Sequence, residues 1–110
     1  MSTVEHYGAV SVIRPDGPLR FSSLNELRDK VTEIVSSSIP YIVVDMTQTP
    51  LMDGAGLELF LDMDEECCDR GGAVRLCNVG ELCSDLLRAT GIGENIQQFD
   101  DLPSAIASFA

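Results

Sequence analysis

The chain has 110 residues, 45% of them hydrophobic, enough for one compact domain over residues 1–110 that buries roughly two-thirds of its unfolded surface without disulfide or metal. Its formal charge of −11 and pI near 4.1 argue against nucleic acid and anionic membranes, because both reward Lys and Arg. The polar start Met1-Ser2-Thr3-Val4-Glu5-His6 has no signal-peptide pattern, and no apolar run approaches the roughly 20 residues of a membrane helix, so a cytoplasmic protein without membrane insertion is expected.

Val4 to Tyr7 and Val10 to Arg14 are short extended runs that meet at Gly8-Ala9, the pattern of an N-terminal hairpin. Pro15-Asp16-Gly17-Pro18 stops the second strand. Ser23 with Glu26 predicts a capping box, opening a helix whose Leu24, Leu27, Val31, Ile34 and Val35 recur at helical spacing. Ser36-Ser37-Ser38 and Pro40 end it. Tyr41 to Met46 is a β-branched run of the kind that makes a buried strand.

Next comes Pro50-Leu51-Met52-Asp53-Gly54-Ala55-Gly56-Leu57, where Gly54 and Gly56 permit backbone angles closed to other residues and so a sharp turn from strand into helix. The helix from Leu57 to Asp69 should turn Leu57, Phe60, Leu61, Asp64 and Cys67 or Cys68 inward, with Met63 nearby. Glu58, Asp62, Glu65, Glu66 and Asp69 should face outward. Like charges at i, i+4 cost a helix about 0.2–0.5 kcal/mol per pair, so this outer face is slightly self-repelling. It is either a solvated face or one that a basic partner relieves. Arg70-Gly71-Gly72 closes the helix, and Ala73 to Cys77 is another strand. Gly80 to Thr90 carries the stripe Leu82, Cys83, Leu86 and Leu87, ended by Gly91-Ile92-Gly93. Asn95 to Phe99 predicts a last strand. Asp100 or Asp101 is placed to cap a final helix, with Pro103 in its first turn and Ile106 and Phe109 inward. The alternation of strand and helix after Tyr41 implies parallel strand pairs with helices packed on them.

No catalytic constellation is legible. Gly54-Ala55-Gly56 lacks the lysine and hydroxyl of a phosphate loop, and a dinucleotide fingerprint needs glycine where Leu59 stands. His6 has no evident nucleophile or base beside it in sequence. Cys67, Cys68, Cys77 and Cys83 form no C-x-x-C pair, so buried free thiols are expected rather than a metal site, and no cofactor is called for. Asp53 either caps the helix that follows or helps present the loop to a partner.

The element order resembles that of the STAS domain family, the family of anti-sigma-factor antagonists, over nearly the whole chain. The resemblance is carried by Ile42-Val43-Val44-Asp45-Met46 followed by Met52-Asp53-x-x-Gly56-Leu57, by Gly71-Gly72 leading into Val74-Arg75-Leu76, and by Leu86-Leu87-Arg88-Ala89-Thr90-Gly91-Ile92. It implies an α/β fold, a STAS-like mixed β-sheet of four to five strands with about four helices packed mainly on one face. It also implies a non-enzymatic binding protein whose partner is an anti-sigma factor of the serine-kinase type or another ATP-binding protein. Docking would use Asp53, Gly54, Ala55, Gly56, Leu57 and Glu58. In the family, phosphorylation of a serine or threonine just before the glycine breaks the complex. That position aligns with Ala55, and the preceding one is Gly54, so the usual hydroxyl is absent. Thr47, Thr49, Ser84 and Thr90 are conceivable substitutes.

Arg20 stands where many antagonists carry an acidic residue. Some STAS-like subunits instead bind the ATPase of a lipid-transport complex, and their loops are similar to Asp53-Gly54-Ala55-Gly56-Leu57. A second class of reading is a sensor module for a nucleotide or apolar ligand, with Glu58 and Asp62 disfavouring a phosphate at the helix start. An exposed N-terminal strand at a sheet edge leaves a homodimer open.

Overall fold

The computed structural model describes residues 2–110. Its elements run β1 (Ser2–Tyr7), β2 (Val10–Pro15), α1 (Asn25–Ser37), β3 (Tyr41–Asp45), α2 (Gly54–Asp69), β4 (Ala73–Cys77), α3 (Glu81–Thr90), β5 (Gln97–Phe99) and α4 (Leu102–Ala107), with 3-10 turns at Phe21–Ser23 and Ile92–Glu94. The five strands form one sheet in chain order, with β1 antiparallel to β2 and all later neighbours parallel. The sheet is therefore mixed, as the sequence pattern implied.

The β-branched run explains the centre. Ile42, Val43 and Val44 are all fully buried, and they alternate between two cores because successive side chains point to opposite faces. Ile42 and Val44 join Ile13, Val74 and Leu76 beneath Leu27 and Val31 of α1, Phe60 and Met63 of α2, and Leu87 of α3. Val43 turns the other way, toward Val10, Val12, Cys77 and Ala105 of α4. Three helices thus cover one face and a short fourth covers part of the other. Tyr41 and Arg75 extend that smaller core, with the Phe109 ring 5.3 Å from the Tyr41 ring and the Arg75 guanidinium 4.1 Å above its centroid.

Several expectations need correction. The Ser23/Glu26 capping box does not form. Ser23 Oγ accepts from the Arg20 amide at 3.1 Å and donates to the Pro18 carbonyl at 3.0 Å within the 3-10 turn, while Glu26 accepts from the Ser2 amide. α1 consequently begins at Asn25 with no side-chain cap. On α2 Leu57, Phe60, Met63 and Cys67 face inward as expected and Leu59 joins them, whereas Leu61 and Cys68 are exposed and Asp64 is half-buried, accepting from the Val74 amide at 3.4 Å. Leu82 is also exposed, leaving Cys83 and Leu87 as the buried positions of α3. β5 is shorter than expected because Asn95 and Ile96 donate back to Ile92 in a turn. Of the two aspartates offered, Asp101 caps α4, accepting from the Ser104 amide at 2.8 Å, and Ile106 and Phe109 pack inward as expected, beside the fully buried Ala105.

The four cysteines are free, and Cys67, Cys77 and Cys83 are buried. Burial, with Asp64 and Glu66 adding repulsion, pushes the Cys67 thiol up to about 12. Burial, followed by the charge of Asp45, does the same for Cys77. Both are protonated packing groups rather than nucleophiles.

Among the described glycines, Gly72 is the most tightly enclosed. A Cβ there would lie 2.0 Å from the Pro40 carbonyl oxygen, in the segment that leads into β3. Gly54, by contrast, has open space around its Cβ direction. Gly72→Ala should therefore destabilise the domain by about 1–3 kcal/mol through forced backbone displacement, whereas Gly54→Ala should be neutral or slightly stabilising because alanine favours helix. Urea unfolding of the two variants with unchanged m-values is the check.

Candidate partner-docking site

Beyond β3 the chain folds over the carboxyl end of the sheet. Met46 donates to the Cys77 carbonyl at 2.9 Å, Thr49 donates its amide to Met46 at 3.0 Å, and the buried Thr49 hydroxyl donates to the Pro15 carbonyl at 3.2 Å. The segment after β2 is laid alongside: Gly17 donates to Gln48 at 2.9 Å, Leu19 to Leu51 at 3.0 Å, and Asp53 to Leu19 at 3.0 Å. Leu19 and Met52 form a parallel bridge.

Asp53 joins this pair of segments to α2. Its Oδ1 accepts from the Gly56 amide at 3.1 Å, which makes it the N-cap, and its Oδ2 accepts from the Phe21 amide at 3.0 Å. Donation from Phe21 and then from Gly56 holds the carboxyl below the usual carboxylate range. The capping alternative for Asp53 is therefore realised, and the same side chain also anchors a neighbouring loop.

The glycines do not act as expected. Neither Gly54 nor Gly56 has a left-handed backbone angle, and both lie within α2. Gly56 is needed for space instead. A Cβ there would meet the Leu19 carbonyl oxygen at 3.1 Å and the Met52 Cβ at 3.2 Å.

The six sequence-nominated residues separate by direction. Gly56 and Leu57 are buried, with Leu57 in the main core. Gly54 and Glu58 are exposed, and Asp53 and Ala55 half-buried. Ala55, Glu58 and Asp62 line one wall of a surface cavity of about 270 Å³, and Phe21, Ser22 and Arg28 are on the opposing wall. Phe21 is 81% exposed. Sequence reasoning missed it, although an aromatic side chain just beyond the Gly17-Pro18-Leu19 turn, in a chain with only 5% aromatic residues, was a usable signal. Arg20, next to it, is exposed as well. Along α2 the acidic residues Glu58, Asp62, Glu65, Glu66 and Asp69 all face solvent, as their spacing predicted.

The hydroxyls nominated as substitutes lie elsewhere. Thr47 donates to Asp45 Oδ1 at 2.5 Å, Thr49 is buried, Thr90 donates to the Leu86 carbonyl at 2.9 Å, and Ser84 lines a separate cavity with Arg88 and Glu94. Asp45 itself is structural. It accepts from Arg14 Nε at 2.9 Å, Asn78 Nδ2 at 3.1 Å and the Thr47 amide at 3.1 Å, and Arg14 reaches on to Glu5 at 2.8 Å. Burial alone would raise the Asp45 pKa, but donation from Thr47, Arg14 and Asn78 outweighs it and holds the carboxyl low. His6 pairs with Ser11 at 3.1 Å across the hairpin, away from this site. Among the described residues no three His, Cys, Asp or Glu side chains converge as a metal ion requires, and no helix is long and apolar enough to cross a membrane.

A family model for the STAS domain matches residues 1–105. The chain belongs to the STAS domain family. Among solved structures, this STAS domain is similar to a candidate anti-sigma factor antagonist from Thermotoga maritima (TM-score 0.90, 15% identity, covering 97% of this chain and 92% of that one). An anti-sigma factor antagonist from Mycobacterium paratuberculosis gives a TM-score of 0.88 at 19% identity, over 98% of this chain and 92% of that one. The murine anion transporter Solute Carrier 26 family member A9 matches at a TM-score of 0.79 and 16% identity, over 94% of this chain but 18% of its own. At such identities the likeness is one of fold. No curated protein sequence matches the chain.

Asp53 supplies a pH test. Its folded-state pKa is depressed, so its stabilising contribution is complete above the ordinary carboxylate range, near pH 4, and is lost as pH falls through the lowered folded value. Asp53→Asn keeps a capping oxygen but sets an NH2 group against the Phe21 amide. Calorimetry should show a lower Tm at neutral pH and a smaller loss of Tm on acidification than in the native chain.

Proposed function

We propose that this STAS domain is a non-catalytic regulator that docks on an ATP-binding anti-sigma factor of the serine-kinase type, through the surface formed by Asp53, Gly54, Ala55 and Glu58 at the start of α2, with Gly56 and Leu57 holding that start in place. The observation that carries this reading is the open groove beside Ala55 with an almost fully exposed Phe21 on its rim. An aromatic side chain this accessible contributes large contact area when a partner covers it, and such residues are enriched among those that dominate interface energies. The acidic flank of α2 adds long-range attraction for a basic surface, so association should be fast at low salt and slower at high salt. Ala55 cannot accept a phosphoryl group, so docking through this loop is not interrupted there.

One feature favours a second reading. The exposed Arg20 beside Phe21 puts a cation where the resemblance to antagonists implies an acidic residue, and fold likeness extends to part of an anion transporter. In that reading the same surface binds the ATPase of a lipid-transport complex.

Both readings are tested by immobilising the native protein and recovering partners from lysate of its source organism at low and high salt, with ATP or ADP. The expected result is a kinase-like ATP-binding protein, lost with Ala55→Glu. Its affinity should fall about thirtyfold with Phe21→Ala, the size of a typical interface hot spot of about 2 kcal/mol. A transporter ATPase in its place would select the second reading, and retention unaffected by Ala55→Glu would remove this loop as the docking site.

A further inference from the structure

We infer that the free edge of β1 is a self-association surface, on which two copies of this chain pair antiparallel through Ser2–Tyr7 about a twofold axis at Val4 and so join their sheets. This surface is separate from the docking groove, since the two share no lining residue.

The sheet has two edges, and the fold treats them differently. β5 offers only the three residues Gln97–Phe99. β1 offers six, in unbroken register with β2 from Ser2↔Pro15 to Tyr7↔Val10, without the bulge, proline or lysine that commonly blunts an exposed edge. In a hairpin closed by the two residues Gly8-Ala9, the flanking pair Tyr7↔Val10 is hydrogen-bonded, and bonded pairs alternate with non-bonded ones. Tyr7, Glu5 and Thr3 therefore bond toward β2, and Val4 and His6 direct their backbone N–H and C=O groups outward. Ser2 fits this alternation, as its amide bonds the Glu26 side chain rather than β2.

The register follows from face and charge. Successive side chains alternate between faces, and a twofold axis normal to the sheet keeps each face on its own side, so even-numbered residues oppose even and odd oppose odd. Centring the pair on Glu5 would set that carboxylate directly against its own copy, which is unfavourable. Centring it on Val4 sets Val4 against Val4, Thr3 against Glu5 and Ser2 against His6, with no like charges opposed. Val4 then exchanges both of its outward hydrogen bonds with its copy, and each His6 amide donates to a Ser2 carbonyl.

The neighbouring helix points to the same occupant. α1 runs alongside β1 in the same direction, with Glu26 level with Ser2 and with Ile34 and Ser37 beside His6, which places Lys30 and Glu33 near Val4. Lys30 and Glu33 line a groove of about 420 Å³ along this edge with Val4 and Ile34, and neither makes an ion pair among the described residues. The twofold axis turns Lys30 of each copy toward Glu33 of the other, over an apolar floor. A groove that carries one lysine and one glutamate is complementary to itself, as an isologous contact requires. The charge of −11 on each copy opposes the approach at long range, so association is favoured by enough salt to screen it.

Sedimentation equilibrium of the full chain at about 0.15 M salt, from about 10 μM to about 1 mM protein, should show a monomer–dimer equilibrium. Lys30→Glu and Glu33→Lys should each weaken it about tenfold at unchanged Tm, and the variant carrying both should restore it. Amide hydrogen exchange should slow at Val4 and His6 as concentration rises, while Glu5 and Tyr7, already bonded to β2, stay unchanged. A chain that remains monomeric up to about 1 mM overturns the inference. So does a dimer whose Val4 and His6 amides exchange as fast as the monomer's, or one that the double charge exchange fails to restore.

Discussion

The close approach of Leu19 to the first turn of α2 is the contact on which the candidate docking surface depends. It requires glycine at position 56, since a Cβ would press on the Leu19 carbonyl oxygen and the Met52 side chain. It also requires Asp53, whose two carboxylate oxygens accept one amide from each of the segments being joined. A three-residue 3-10 turn has almost no stability of its own, because ordering its backbone yields few hydrogen bonds. Fixed by Asp53, it places Phe21 and Ser22 along the same cavity as Ala55.

The charges of this acidic domain divide into those the fold uses and those it leaves outside. Asp45 is nearly inaccessible and fully bonded, with Arg14 linking it to Glu5 on the edge strand, so that β1, β2 and β3 are tied at one end. Removing Arg14 would leave the buried Asp45 carboxylate without its cation, which costs far more than the exposed Arg14–Glu5 pair gains. The carboxylates on the outer side of α2 have no such role. They contribute a field rather than a contact, and its reach is set by ionic strength. Of the carboxylates, Asp53 alone combines a structural role with a place on the candidate docking surface, and the exposed carboxylates along α2 can be replaced without loosening the core.

Much of the fold was legible because burial imposes period. Ile42-Val43-Val44 read as a buried strand and is one, and the apolar positions of α1 recur at helical spacing and are buried as that spacing implies. Where period was ambiguous the reading slipped. Leu61, Cys68 and Leu82 are apolar but stand at the border of their helical faces, and hydrophobicity alone does not say on which side of the border the neighbouring strand lies. The capping box failed for a different reason: Ser23 had two possible employments within three residues, and the turn upstream took it.

The candidate site divides along the same line. Met52-Asp53-Gly54-Ala55-Gly56-Leu57 marked the strand-to-helix turn and the capping carboxylate, because each depends on residues a few positions apart. The opposing wall was not legible, since Phe21 and Ser22 lie 34 and 33 positions before Ala55 (55 − 21 and 55 − 22) and no local pattern links them. What brings them together is long-range: β2 and β3 are parallel neighbours, so the chains leaving their carboxyl ends emerge side by side and pair through Leu19 and Met52. Local spacing determined the elements and one half of the groove; strand pairing across the sheet decided that it was a groove and which aromatic rims it.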